Sequence, residues 1–253
     1  MVEYSLSGHI AVITLSRPEA RNAVDGAMAR GLEAALDNLE GEPDSWVGVL
    51  GAEGPVFSAG ADLKAIAAGR GSELVTARGG FAGMVRRERH KPLVAAVDGP
   101  ALAGGCEMVL ACDLVVASTR ASFGLPEVKR SLVAAGGGLF RLPRALPRAV
   151  AMEVVLTGDP LPAERAHALG LVNELVEPGQ ALEAALALAR RICANAPVSV
   201  RASRSVVAAA DCADDQTLWE LSEQALATVA RTEDFAEGPR AFIEKRQPVW
   251  KGR

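Results

Sequence analysis

Four cysteines, three histidines and a single tyrosine are a thin supply of redox, metal-ligating and stacking side chains for a chain of 253 residues. Cys106, Cys112, Cys193 and Cys212 form no CxxC pair and stand in apolar, helix-like surroundings. They read as buried thiols, not as a disulfide framework or a zinc site. His9, His90 and His167 are scattered, and no HExxH or other metal spacing occurs; each reads as a surface or structural residue, and no metal is expected. The strand-to-helix junctions lack GxGxxG, and neither GxxxxGK[ST] nor GxSxG is present. A Rossmann site, a P-loop and a nucleophile elbow are thereby excluded; Ser58, in PVFSAG, has the wrong neighbours for the last of these. No run of about 18 uncharged apolar residues exists that could span a bilayer. The opening MVEYSLSGHI has neither the basic start nor the apolar core of a targeting signal. A soluble, cytoplasmic protein is expected, with no membrane partner. The net charge is −4 and basic residues are not interleaved with aromatics, which argues against nucleic acid as a partner.

What is present is an apolar fraction of 49% against 23% charged, enough for a sizeable core in one large domain or one domain with a helical appendage. Residues 2–15 alternate as a β-hairpin turning at Ser7-Gly8, and Asn22 to Leu39 reads as a helix with Leu32, Leu36 and Leu39 on one face. WVGVLG (46–51), LVAAV (93–97) and Leu114 to Ala117 read as short buried strands. Strands thus alternate with helices, so the chain is α/β. Beyond about residue 139 strand-like runs nearly vanish, LVNELV (171–176) excepted. Ala-Leu-rich segments at 149–157, 163–170, 181–194, 198–210, 216–230 and 235–245 predict helices.

Two Gly-containing loops each open a helix: SAGADLKAI and PALAGGCEMVL. Such loops let main chain approach a ligand closely and leave helix-start N–H groups unpaired. Two of these donors aimed at one point would make an oxyanion hole. Just after the second loop, Glu107 enters the apolar run MVLACDLVVA, and Glu127 follows Pro126 twenty positions later. A carboxylate committed to an apolar interior costs several kcal/mol unless it is paired, hydrogen-bonded or protonated. That cost raises the question of whether the two acids meet.

With these loops and acids in view, the sequence resembles the crotonase (enoyl-CoA hydratase/isomerase) superfamily, and the likeness runs essentially end to end. It is carried by ITLSRPEARNAV, VFSAGADL, KPLVAAVDGPALAGGCEMVLACDLVVAS, ASFGLPEV, AAGGG with LFRLPR, AMEVVLTGDPLPAERAHALGLVNELV and AFIEKRQPVWKGR. The resemblance implies a spiral of ββα units over residues 1–195. It further implies a C-terminal helical region over 196–253 that builds a homotrimer or a dimer of trimers. The substrate would be an acyl-CoA thioester, with no cofactor beyond the CoA that the substrate carries. Matched by motif, Ala61 and Gly104 would supply the oxyanion-hole amides, and Asp62, Leu63 and Lys64 would border the CoA. Phe242 and Lys245 in FIEKR would contact CoA, often that of a neighbouring subunit. Hydratases of the superfamily carry two Glu at the spacing of Glu107 and Glu127, so the expected activity is that of an enoyl-CoA hydratase, a hydro-lyase. The alternatives are a carnitinyl-CoA-type dehydratase, a Δ3-Δ2 enoyl-CoA isomerase, or a non-catalytic acyl-CoA-binding paralogue; an isomerase needs only one base. Residues 65–85, with Gly-Arg-Gly-Ser at their centre, are expected to line the acyl pocket as a mobile lid. Ser131 and Ala135 stand where glycine is usual in the superfamily, a departure that bears on which acyl group is taken.

Overall fold

Alternation of side chains builds the first hairpin in the computed structural model, which describes residues 1–253. Strand β1 (Val2–Ser7) exposes every second residue and pairs antiparallel with β2 (Ile10–Leu15), Ser7 facing Ile10. Helix α1 (Gly26–Gly41) follows, capped by Asp25, whose carboxylate accepts the Met28 N–H at 2.8 Å. Leu32, Leu36 and Leu39 are fully buried on its inner face, each stabilising the fold by about 2 kcal/mol. The helix begins four residues later than the apolar spacing predicts. Asn22 instead takes a left-handed turn at φ 51°, its side chain bonding the Arg17 N–H and the carbonyls of Glu53 and Val56.

The chain continues through β3 (Val47–Ala52), α2 (Leu63–Ala67), a ribbon of β4 (Val75–Thr76) and β5 (Gly80–Phe81), then β6 (Leu93–Val97), β7 (Ala101–Leu102) and α3 (Gly104–Leu110). Next come β8 (Leu114–Ser118), β9 (Ser122–Gly124), α4 (Gly138–Ala145), α5 (Arg148–Thr157), β10 (Leu161–Pro162), α6 (Ala163–Ala168), β11 (Glu174–Val176) and α7 (Ala181–Cys193). The large sheet has the order β1-β2-β3-β6-β8-β11, parallel from β2 onward. A small sheet, β10-β9-β7, stands beside it, and Ser58 bridges to Ala101 at its edge. Each inner strand of the large sheet therefore leads to the small sheet and then to a helix: β3 to Ser58 to α2, β6 to β7 to α3, β8 to β9 to α4. This repetition is the spiral of ββα units.

The large sheet is buried on both faces. On one, α7 lays Ala185, Leu188 and Ala189 over Val47, Val49, Val94, Ala96 and Val116. On the other lies the main core, running from Ile13 and Leu15 through α1 and α3 to Phe123. Three cations of the stretch Arg86 to Lys91 find their partners within the fold. Arg87 pairs with Asp37, Arg89 with Asp113 at 3.1 Å, and Lys91 Nζ donates to the carbonyls of Leu39 and Glu42 at the end of α1.

Three helices close the chain: α8 (Pro197–Ala209), α9 (Asp215–Val229) and α10 (Glu233–Glu244). Arg204 of α8 reaches Asp113 at 2.8 Å, so this carboxylate is shared by two guanidinium groups. Helix α9 packs on α8 but buries no residue of its own. Its Trp219 is 69% and its Leu226 64% exposed. Glu237 of α10 holds the tail, accepting from Arg246 at 2.6 Å and from the Val249 N–H at 2.8 Å. No helix is long and apolar enough to cross a membrane.

Candidate active site

Two loops meet main chain to main chain at the edge of the small sheet. Phe57 N–H donates to the Pro100 carbonyl at 3.0 Å and Leu102 N–H to the Ser58 carbonyl at 2.9 Å. Side chains are missing where the loops touch: a Cβ on Gly105 would lie 2.3 Å from the Ser58 carbonyl oxygen, and one on Gly60 2.7 Å from Gly104 N. Gly60 also holds φ 85°, which disfavours any other residue. Ser58 has a structural task, its buried hydroxyl donating to the Asn22 carbonyl and accepting the Gly60 N–H.

This packing brings Ala61 and Gly104 together. The bridge to Val24 uses the Gly60 carbonyl and the Asp62 N–H, and it leaves the Ala61 N–H without an acceptor. Gly104 opens α3, and its N–H likewise donates no hydrogen bond within the fold. Ala103 precedes it at φ 52°, ψ −128°, a conformation that glycine reaches freely and alanine only under strain. The Phe81 ring covers the outer side of Gly104, where a Cβ would sit 2.3 Å from it. The β4–β5 ribbon within the 65–85 segment therefore borders the Gly104 amide.

Glu107 lies in the first turn of α3, 4% exposed. Its Oε1 accepts the Gly138 N–H at 3.0 Å, and Gly136 abuts Oε2, where an added Cβ would come within 2.5 Å. Burial raises the Glu107 carboxyl above its usual range, while the Gly138 and Gly136 amides and the positive charge of Arg141 pull it back. Glu127 sits in the 3-10 turn Pro126–Arg130, and its buried Oε2 has no hydrogen-bond partner. Burial pushes its pKa up to about 7; its own N–H works against that rise and the Glu107 charge adds to it. The two acids therefore share one electrostatic environment but are supported unequally. Burial raises both, but at Glu107 two amides and a cation work against the rise, whereas at Glu127 only its own N–H does. Cys106, fully buried beside them, has its thiol pushed up by burial and stays protonated.

The remaining expected residues divide. Asp62 is 8% exposed and fully engaged: it caps α2 through the Lys64 and Ala65 N–H groups and pairs with Arg17 at 2.8 Å. The Arg17 hydrogen bond holds its carboxyl below the usual range despite burial, so it shapes the loop. Leu63 and Lys64 are exposed beside it. Phe242, 85% exposed, and Lys245, the left-handed C-cap of α10, form no hydrogen bond with either loop of this chain. Ser131 holds φ 56°, so serine there adopts the conformation for which glycine is usual. Three contributors escaped the sequence pattern: the Gly136–Gly138 turn as a cradle for Glu107, Arg141 behind it, and Ala103. The quoted AAGGG-LFRLPR run held the first two, but no spacing rule marks a main-chain donor or its support. No group of three or more His, Cys, Asp or Glu comes together to hold a metal ion.

Comparison with known proteins places the chain in a family. The model of the enoyl-CoA hydratase/isomerase family matches residues 5–253. The chain is 48% identical to an enoyl-CoA hydratase from Mycobacterium tuberculosis H37Rv, whose crystal structure superimposes with a TM-score of 0.96 over 100% of this chain and 99% of that one. A carnitinyl-CoA hydratase from Mycobacterium avium is 46% identical, with a TM-score of 0.77 over 100% and 98% of the two chains. Among curated proteins, a carnitinyl-CoA dehydratase from Salmonella heidelberg (strain SL476) is 38% identical over 98% of this chain and 97% of its own length.

Proposed function

This chain belongs to the enoyl-CoA hydratase/isomerase family, and we propose that within it the protein adds water reversibly across the 2,3-double bond of an enoyl-CoA, giving the 3-hydroxyacyl-CoA. The observation that carries this reading is the unequal pair: Glu107 held by amides and a cation, Glu127 with an unpartnered oxygen and a pKa of about 7. Glu107 as carboxylate accepts a proton from water as its oxygen bonds to C3. Glu127 in its protonated form gives a proton to C2. Electron density that moves onto the thioester oxygen is met by the Ala61 and Gly104 N–H groups. The sum is one water added, with one proton passed to Glu107 and one withdrawn from Glu127; in reverse the roles exchange. Both directions need one proton shared by the pair, so their titration is a property of the pair.

In the same reading Leu63, Lys64, Phe242 and Lys245 border the CoA, and Asp62 acts through the loop that it caps. CoA enters with the substrate and no further cofactor takes part. Residues 196–253 form the assembly region of a homotrimer or a dimer of trimers, acting in the cytoplasm. The test is loss of enoyl absorbance with 2-enoyl-CoAs from four carbons to sixteen. Turnover that survives both Glu107→Gln and Glu127→Gln at near wild-type rate overturns the mechanism. A second reading, dehydration of a functionalised acyl-CoA, is favoured by relatives named for carnitinyl-CoA. It uses the same acids, and a carnitinyl-CoA arm in the same assay distinguishes it. Thermal stabilisation by acyl-CoA without any turnover points instead to a binding paralogue.

A further inference from the structure

The turn that serves Glu107 has two sides. Its amides face the carboxylate, with the Gly138 N–H at 3.0 Å from Oε1. Its carbonyl side faces Arg141: Nη1 donates to the Gly136 carbonyl at 3.1 Å, and Nη2 donates to the Val85 carbonyl at 2.7 Å, beyond the β4–β5 ribbon. The turn is wrapped tightly round the guanidinium. A Cβ on Gly137 would lie 2.2 Å from Nη1, and Gly137 itself holds φ 106°. One planar group thus ties the turn to a separate segment while standing behind the carboxylate that the turn's amides bind. Two carbonyls in different directions need two fixed donors, which a guanidinium has and an ammonium lacks.

We propose that Arg141 is a positioning residue that assigns the roles within the acid pair, fixing the Gly136–Gly138 turn and presenting its charge to Glu107, so that this acid and not Glu127 is the carboxylate. The proposal rests on the reading of Glu107 as base and Glu127 as acid, and it adds what makes the two differ. Charged and titratable groups around the centre are few. Glu107 feels Arg141, Glu127 feels Glu107, and Arg141 feels Glu107, Arg144, Arg89 and Cys112. Burial lowers the hold of Arg141 on its proton and Glu107 works against that fall; an arginine remains charged at any working pH. Arg144 shares the Phe140 ring with Arg141, their Cζ atoms 5.3 and 5.2 Å from its centroid. The cation that acts on Glu107 is Arg141 alone.

The experiment follows the Glu107 and Glu127 carboxyl carbons by NMR in protein labelled with carbon-13 glutamate, assigned through Glu107→Gln and Glu127→Gln. Arg141→Met is expected to raise the Glu107 midpoint by about one pH unit and to move the acid limb of kcat/KM up by the same amount. Activity below that limb then falls about tenfold while KM stays near wild type. Arg141→Lys, which keeps the charge, is expected to return at least half of the midpoint shift. Arg141→Gln, which keeps one donor for the turn, carries the same test if the methionine variant does not fold. A folded neutral variant whose Glu107 midpoint stays within about 0.3 unit of wild type overturns the proposal, even with kcat reduced. The NMR midpoint needs no turnover, so failure of the hydratase reading shows separately, as activity that persists in Glu107→Gln.

Discussion

Glu127 has an ionisable oxygen in the interior with nothing to bond to, and this sets two measurable pH dependences. In the proposed mechanism hydration needs its proton, so kcat/KM is expected to fall about tenfold per unit once pH rises past about 7, read from initial rates across pH 5 to 9. Replacing either acid by glutamine is expected to reduce kcat by about 10²–10⁴. Stability responds in the opposite sense to most carboxylates. The folded state holds the Glu127 proton up to about pH 7, whereas the unfolded chain releases it near 4.5. Between those values the folded state binds more protons, so stability falls as pH rises through the window, and the penalty is fully present above it. Glu127→Gln is therefore expected to melt roughly 3–6 °C above wild type at pH 8, the gap closing toward pH 5. A variant that melts lower at pH 8 would contradict the unpaired carboxylate. Glu107 stood out in the sequence because a Glu at the head of an apolar run needs a reason, and Glu127 was marked only by the resemblance. Arg141 was not legible there, since nothing separates it from its neighbours in LFRLPR until the turn it clamps is seen.

At the scale of elements, the meeting of the two loops depends on Gly60 and on the strained Ala103. Gly60→Ala would force a Cβ against Gly104 N and Ala103. Loss of the spacing between the two amides is expected to reduce kcat by about 10²–10³ with modest change in KM. Ala103→Gly removes the strain at φ 52° and is expected to stabilise the protein by about 1 kcal/mol in urea unfolding. The long elements could be read before any coordinates: the helices from α5 to α10 begin and end within two residues of the segments that their Ala-Leu periodicity marks out. Strands β7, β9 and β10 could not. Two or three residues carry no period, and these form only because a neighbour distant in sequence presents a free edge. Helix α4 was hidden for a related reason: its start is an AAGGG run that favours a loop until Glu107 and Arg141 hold it from both sides.

Across the whole molecule, the carboxylate of Asp113 joins the end of α3 to α8 through Arg89 and Arg204. Burial works to raise its pKa, but the two guanidinium groups and the Leu93 N–H outweigh that and hold it low. Its contribution is present above the ordinary carboxylate range and is lost as pH falls through and below that range. Asp113→Ala leaves Arg89 buried without its partner and is expected to destabilise by about 3 kcal/mol, measured by urea unfolding at pH 7. In the proposed assembly the exposed faces of α8 and α9, with Val207, Trp219 and Leu226, meet a neighbouring subunit. Trp219→Glu is expected to shift the particle mass from a multiple of 26.3 kDa to the single chain in light scattering; an unchanged mass would place the subunit contact elsewhere.

Where Gly60 leans on Gly104, the gauge of the proposed anion-holding notch is set by an absent carbon atom. Side chains around it can be exchanged to suit other acyl groups without altering that gauge, because none of them supplies the grip. Diversification is then open at the rim and closed at the hinge point, where a single methyl would prise the two donors apart.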